Sequence, residues 1–344
     1  MEDGILYLRR QDVVEACQEI DAPAVVGRAL QLHARGGTVV PDEAYLAWTP
    51  PAGGSARSLN MPGSLAGGQP VAGTKIINSN PGNPANHLPR ASGLTLLFDP
   101  ETARITCAME GAYISALRTA SVSALASEHL ACDTVERLAI LGAGELARSH
   151  LQLLPLRLPG LREIRIFDVE TSRAVQLARE VDGLRQEGIG LQVTDSAEAA
   201  VRGAEVIVAV TTTTTGYIQM DWLEPGSLLL NVSLDDPLPE VVFGVDRVVV
   251  DDWRLVSQDQ HRLLGRMYRA GQLRGPLDER PPHADVRRVD AELGWILIGR
   301  EPARRSQAER ILVNPFGLSI EDIALAAEVH QVASRRGLGR VLDC

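Results

Sequence analysis

Residues 138–150 read LAILGAGELARSH, and no other stretch constrains the fold as much. An apolar run of strand-forming residues meets Gly142-Ala143-Gly144-Glu145-Leu146-Ala147, a GxGxxA turn, and the turn opens into a helical pattern. The first glycine of such a turn permits a sharp bend. The second lets the backbone approach a pyrophosphate, and the small Ala147 lets helix and strand pack closely. Glu145 and Leu146 open the helix, whose N–H donors and partial positive charge suit a phosphate. The stretch IRIFDVE then ends a second strand at Asp168, where a carboxylate can accept both ribose hydroxyls and repel a 2′-phosphate. Glycine turn and acid together predict a dinucleotide site of the NAD type. Arg173, five residues on, reads as a solvated helix residue.

The turn sits nearly 140 residues into a chain of 344, so another unit precedes it. With 45% hydrophobic residues the chain can bury a large core and form two domains. From Thr134 onward short β-rich runs (ERLAILGAG, REIRIFDVE, GLQVTDS, AEVIVAVTTT, GSLLLNVSL, DRVVVDDW) are separated by helical stretches at 145–156, 171–185 and 196–202. That alternation predicts a doubly wound parallel sheet. Residues 40–110 are rich in Gly, Pro and Asn with short apolar runs, the texture of antiparallel strands and long loops. Helical spacing covers 12–35 and 111–131, and the ending reads as a turn followed by an amphipathic helix.

A formal net charge of −10 argues against nucleic-acid and membrane-surface partners. The segment 206–220 is too short and too threonine-rich to span a membrane. Cys17, Cys107, Cys132 and Cys344 are far apart and form no CxxC pair. The seven histidines are scattered, so no metal site is expected, and reduced thiols suit a cytoplasmic protein.

The segments MEGAYISALRTASVSALASEHLA (109–131), LGAGELARSHL (141–151), NPFGLSIEDIALA (314–326), KIINSNPGNPANHLPRASGLTLLFDPET (75–102) and LEPGSLLLNVSLDD (223–236) resemble, in order, the ornithine cyclodeaminase/mu-crystallin family of dinucleotide-dependent enzymes. PRASG, VVVDDW, AELG and NPFG are similar to its branch in 2,3-diaminopropionate biosynthesis. The resemblance implies a Rossmann sheet (residues 131–312) inserted into a discontinuous α+β substrate and dimerisation domain (1–130 with 313–344), hence a homodimer. It also explains the late glycine turn, because the other domain is started first.

The resemblance assigns roles residue by residue. Asp236 matches the general acid/base, and Asp235 is its neighbour at the end of the strand SLLLNVSL. Lys75 matches a substrate-binding, catalytic lysine. Arg118 matches the arginine that touches substrate carboxylate and cofactor, and Phe316 a residue contacting substrate. Thr211, Asn231 and Val232 match cofactor-lining positions beside Gly142, Gly144, Glu145, Leu146 and Asp168. Arg57 and Arg90 are further candidate carboxylate clamps. Where family members often carry Pro-x-Arg, this chain has Glu43, an acid that could face a substrate ammonium or point to solvent, which weakens the case for plain ornithine as substrate.

The branch implies NAD-dependent oxidative hydrolysis of N-(2-amino-2-carboxyethyl)-L-glutamate to 2,3-diaminopropionate and 2-oxoglutarate, supplying a siderophore or antibiotic precursor. An ornithine cyclodeaminase, an imine or ketimine reductase, and a non-catalytic mu-crystallin-like binding protein are the alternatives.

Overall fold

The computed structural model describes residues 4–233, 235–279 and 285–343, so Cys344 lies outside the described residues. The chain divides into two compact units, Met1–Arg118 with Gly317–Cys344, and Thr119–Phe316. The division falls inside the helix Gly111–Leu130, and the change of texture near residue 130 marks that helix's end.

The first unit is built on a mainly antiparallel sheet. Strands Ala56–Leu65, Val71–Ser79, Ala91–Phe98 and Ile105–Glu110 follow one another as neighbours. Gly4–Leu8 adds in parallel beside Ile105–Glu110, and Arg340–Asp343 closes on Gly4–Leu8. Ala44–Trp48 pairs with Ala56–Leu65 and is exposed along its whole length. The final helix, Ser319–Arg336, packs on three of these strands, and a left-handed Gly337 (φ +66°) ends it. Where one helix was expected over 12–35, there are two, Arg10–Cys17 and Ala22–Ala34. Asp21 accepts from the Ala24 N–H and Pro23 sits in the first turn, so this pair begins a new helix.

The second unit is the predicted α/β fold. Its sheet is parallel throughout, in the order Gly190–Val193, Glu163–Phe167, Arg137–Leu141, Val206–Ala209, Leu228–Asn231, Ile311–Val313, Arg247–Val250, Ala291–Glu292. The central strands are buried at every residue, because helices cover both faces of such a sheet. Chain order runs one way from Arg137–Leu141 through Glu163–Phe167 and the other way through Val206–Ala209. The topological switch point therefore lies beside the glycine turn, where α/β sheets bind ligands. No helix among the described residues is long and apolar enough to cross a membrane.

Candidate active site

The turn after Arg137–Leu141 is built as its residue types require. Gly142 has φ +98°, and a Cβ there would lie 2.9 Å from the Val210 carbonyl oxygen, so only glycine fits. A Cβ on Gly144 would meet no protein atom within 4 Å, so this position opens onto free space at the N-terminus of the helix Glu145–Leu153. Ala147 is fully buried behind it. Asp168 follows the strand Glu163–Phe167 and reaches back to the turn. Its Oδ2 accepts from the Ala143 N–H (2.8 Å) and its Oδ1 from the Glu170 N–H (2.9 Å). Glu145 pairs with Arg148, Leu146 is half-buried, and Val232 donates its N–H to the Ala209 carbonyl. Asn231, at the end of its strand, donates to Asn314 Oδ1 (2.6 Å). Its own buried Oδ1 has no hydrogen-bond partner among the described residues. An open cradle at Gly144 and an unsatisfied buried acceptor at Asn231 both fit a dinucleotide at this edge of the sheet.

The two adjacent aspartates have different environments. Sequence reasoning put both at a strand end, but the strand stops at Asn231 and both lie in the loop beyond it. Their side chains are therefore set apart by partners and not by strand alternation. Asp235 is held by Arg266 through two bonds of 3.1 and 3.0 Å. Asp236 is fully buried, and three side-chain hydroxyls donate to it. Its Oδ1 accepts from Thr211 Oγ1 (2.7 Å) and Tyr217 Oη (3.0 Å), and its Oδ2 from Ser233 Oγ (2.5 Å). Burial pushes the Asp236 carboxyl above the usual carboxylate range, against the pull of the Ser233, Thr211 and Tyr217 hydroxyls. Thr211, expected to line the cofactor, thus also holds this carboxyl. Thr211 N lies 3.2 Å from where a Gly142 Cβ would be, so residues 210–211 join the glycine turn to the buried acid.

Phe316 closes the list in this unit. Its N–H donates to Asp251 Oδ1 (2.8 Å), and the Arg262 guanidinium lies 4.2 Å from its ring centroid while donating to its carbonyl (2.6 Å).

In the first unit Lys75 and Arg118 come together around two acids. Lys75, 2% exposed, donates to Asp322 Oδ2 (2.8 Å) and Ser115 Oγ (3.3 Å). Arg118 Nη1 donates to Glu321 Oε2 (2.7 Å), and its Nε lies 3.3 Å from Asp322 Oδ2. Both acids are fully buried in the first turn of the final helix. Burial and the nearby Arg118 charge push the Lys75 ammonium down, against the two carboxylates. A Cβ at Gly317 (φ +93°) would lie 2.6 Å from Arg118 Nη1, so the turn before the helix needs glycine to admit the guanidinium. Glu321 and Asp322 had no role in the sequence reading. Acids in a first helical turn are common for their effect on the helix dipole alone.

Arg57 pairs across the sheet with Ser79 and so shares the Lys75 face, four residues along the strand. Arg90 is exposed just before the neighbouring strand, near enough for the like charge of Arg57 to act on it. Glu43 directly precedes the exposed strand Ala44–Trp48.

Residues 8–337 match the Ornithine cyclodeaminase/mu-crystallin family. The chain belongs to this family. N-((2S)-2-amino-2-carboxyethyl)-L-glutamate dehydrogenase of Staphylococcus aureus (strain NCTC 8325 / PS 47) is 33% identical over 350 residues, covering 100% of this chain and 99% of the relative. The crystal structure of CmnK superposes with a TM-score of 0.90 at 37% identity, covering 99% of each chain. An archaeal alanine dehydrogenase dimer with bound NAD gives a TM-score of 0.84 at 25% identity, covering 98% of this chain and 99% of that one. Family members thus include named dehydrogenases of amino-acid-like substrates.

Proposed function

We propose that this protein is an NAD-dependent amino-acid dehydrogenase that oxidatively hydrolyses N-(2-amino-2-carboxyethyl)-L-glutamate to 2,3-diaminopropionate and 2-oxoglutarate, a step that supplies a siderophore or antibiotic precursor. The observation that carries this reading is the buried Asp236, joined through Thr211 to the nucleotide turn at the switch point. The full-length similarity to the staphylococcal dehydrogenase supports the substrate.

Bound NAD would supply the hydride acceptor for the glutamate Cα of the substrate. Gly142, Gly144 and the N–H groups that open at Glu145 and Leu146 would hold its pyrophosphate, and Asp168 its adenosine ribose. Thr211, Asn231 and Val232 line it further along. Lys75, Arg118, Arg57 and Arg90 take the substrate's three carboxylates, and Phe316 packs on its body. Asp236 takes a proton from the water that adds to the oxidised carbon and returns one to the departing amine. Lys75, whose ammonium is already weakened by burial, assists as a second proton-handling group.

The test is NADH formation across a panel of amino acids, ornithine, cyclic imines in the reverse direction, and N-carboxyalkyl amino acids. N-(2-amino-2-carboxyethyl)-L-glutamate is expected to give NADH and 2-oxoglutarate in equal amounts. Turnover of alanine, ornithine or an imine with none of this substrate would overturn the reading in favour of another family chemistry. NADH and substrate binding with no turnover of any panel member would return it to a binding protein.

Two further results are expected. Gly144→Ala should fold with near-native stability, since its Cβ meets no protein atom, yet weaken NADH binding on the order of tenfold or more. Equal NADH affinity in fluorescence titration would remove the cradle. Asp168→Ala should relax the preference for NADH over NADPH, and a parent protein that binds NADPH more tightly would refute the role of this acid.

The protein works as a homodimer formed through the first unit, by this reading. The strand Ala44–Trp48 exposes Tyr45, Leu46 and Trp48 at 47%, 62% and 45%. Such an edge calls for cover. Light scattering should give twice the 37.1 kDa of the chain, and a monomer at micromolar concentration would rule this out. Buried free thiols at Cys17 and Cys107, both pushed up to about 12 by burial, fit a cytoplasmic setting.

A further inference from the structure

Asp236 presents a topological problem for a proton shuttle: its side chain has no exposed surface, so neither water nor an amine touches it directly. Whatever proton it gains or loses must pass through one of the three hydroxyls bonded to it. Ser233 is buried, and its Oγ also lies 2.9 Å from the Ala209 carbonyl, which faces the protein interior. Thr211 is half-buried, but its Oγ1 already accepts from the Thr213 N–H (3.1 Å). Tyr217 is half-buried too, and its hydroxyl bonds to nothing else among the described residues. Its ring packs against the apolar core of the unit, which fixes the direction of the hydroxyl.

We infer that Tyr217 is the relay through which Asp236 exchanges its proton with the substrate, an inference that rests on Asp236 as the acid/base proposed above. In the hydration step the water oxygen bonds to the carbon of the protonated imine, the C=N π electrons settle on nitrogen, and a water proton passes to Tyr217 Oη. The phenolic proton passes at the same time to Asp236 Oδ1. In the cleavage step Asp236 returns that proton to Tyr217 Oη and the phenol protonates the departing nitrogen, which takes the electrons of the breaking C–N bond, while the carbinol oxygen forms the C=O of 2-oxoglutarate with its O–H electrons and its proton ends on the freed amine as an ammonium. The tyrosine ends each cycle as it began. Burial and the Asp236 charge, with a lesser contribution from Asp168, push the Tyr217 phenol up, so it remains protonated and able to donate. The adjacent Asp235 is neutralised by Arg266 and adds little to this balance.

Tyr217→Phe keeps the ring and removes only the relay atom. It is expected to lower turnover of N-(2-amino-2-carboxyethyl)-L-glutamate by roughly 10²-fold with NADH affinity unchanged. Rate against deuterium fraction should be bowed for the parent, with two protons in flight, and straight for Tyr217→Phe. Thr211→Val, which removes the other donor to the same oxygen, should stay bowed. The Asp236 carboxyl, followed by carbon-13 NMR, should titrate higher in Tyr217→Phe, because a donor to its charged form is lost. A fully active Tyr217→Phe, or an unchanged Asp236 titration, overturns the relay while leaving Asp236 as the acid/base. Loss of Asp236 without effect on turnover would instead overturn the acid/base assignment itself. If no panel member turns over, the substrate assignment fails and the carboxyl titration still decides the Tyr217 bond.

Discussion

Asp236→Asn is expected to lower turnover at least ~100-fold, within the ~10²–10⁴ that general acid–base catalysis supplies, while NADH binds as before. Asparagine keeps the size of the side chain and an oxygen for the Thr211 and Tyr217 hydroxyls, so the loop should hold its shape. What it loses is the capacity to take and return a proton. Asp235→Asn should behave differently. It removes the charge of a buried carboxyl (4% exposed) beside a half-exposed Arg266 but keeps an oxygen for the guanidinium, so the cost is about 1 kcal/mol. A small loss of stability with near-parent turnover is the expected outcome. Equal and mild effects at both positions, read from kcat and NADH titration side by side, would remove Asp236 from the mechanism and return the base to Lys75.

Arg118→Ala should have the largest combined effect on stability and binding. It takes the Arg118 charge away from Glu321 and Asp322, both fully buried, while Lys75 keeps its bond to Asp322. Stranding buried charge in this way costs about 3–5 kcal/mol, visible in urea unfolding. A charge-assisted contact to a substrate carboxylate is lost as well, worth about 1.5–3 kcal/mol, so KM should rise roughly ten- to a hundredfold and kcat should fall. The double change Arg118→Met with Glu321→Gln removes both members of the pair. It should recover much of the stability and none of the substrate affinity, which separates the two roles. Parent-like KM in the double variant would show that Arg118 serves folding alone.

Much of the second unit is written locally. The GxGxxA turn, the acid ending the next strand and the buried β-branched runs are short-range signals. Their physical basis, a positive φ at Gly142 and burial of both sheet faces, operates within a few residues or one strand–helix repeat. The family pattern also places Lys75, Arg118 and Asp236 by number. It does not say what each one touches. Lys75 meets Asp322 across 247 positions and Arg118 meets Glu321 across 203, so those pairings arise only when the final helix packs on the first sheet. The loop after Asn231 likewise carries two adjacent aspartates that composition cannot tell apart. Folding gives one of them an arginine and the other three hydroxyls, and it turns Tyr217, an unremarked residue after a threonine run, toward the second. The strand Ile311–Val313 takes its place between Leu228–Asn231 and Arg247–Val250 for the same reason. Sequence alone determined the nucleotide turn, the parallel sheet and the identity of the charged groups, because turn geometry and periodicity are local. The partners that set the charge and proton balance of those groups come from long-range packing, and only the tertiary structure decided them.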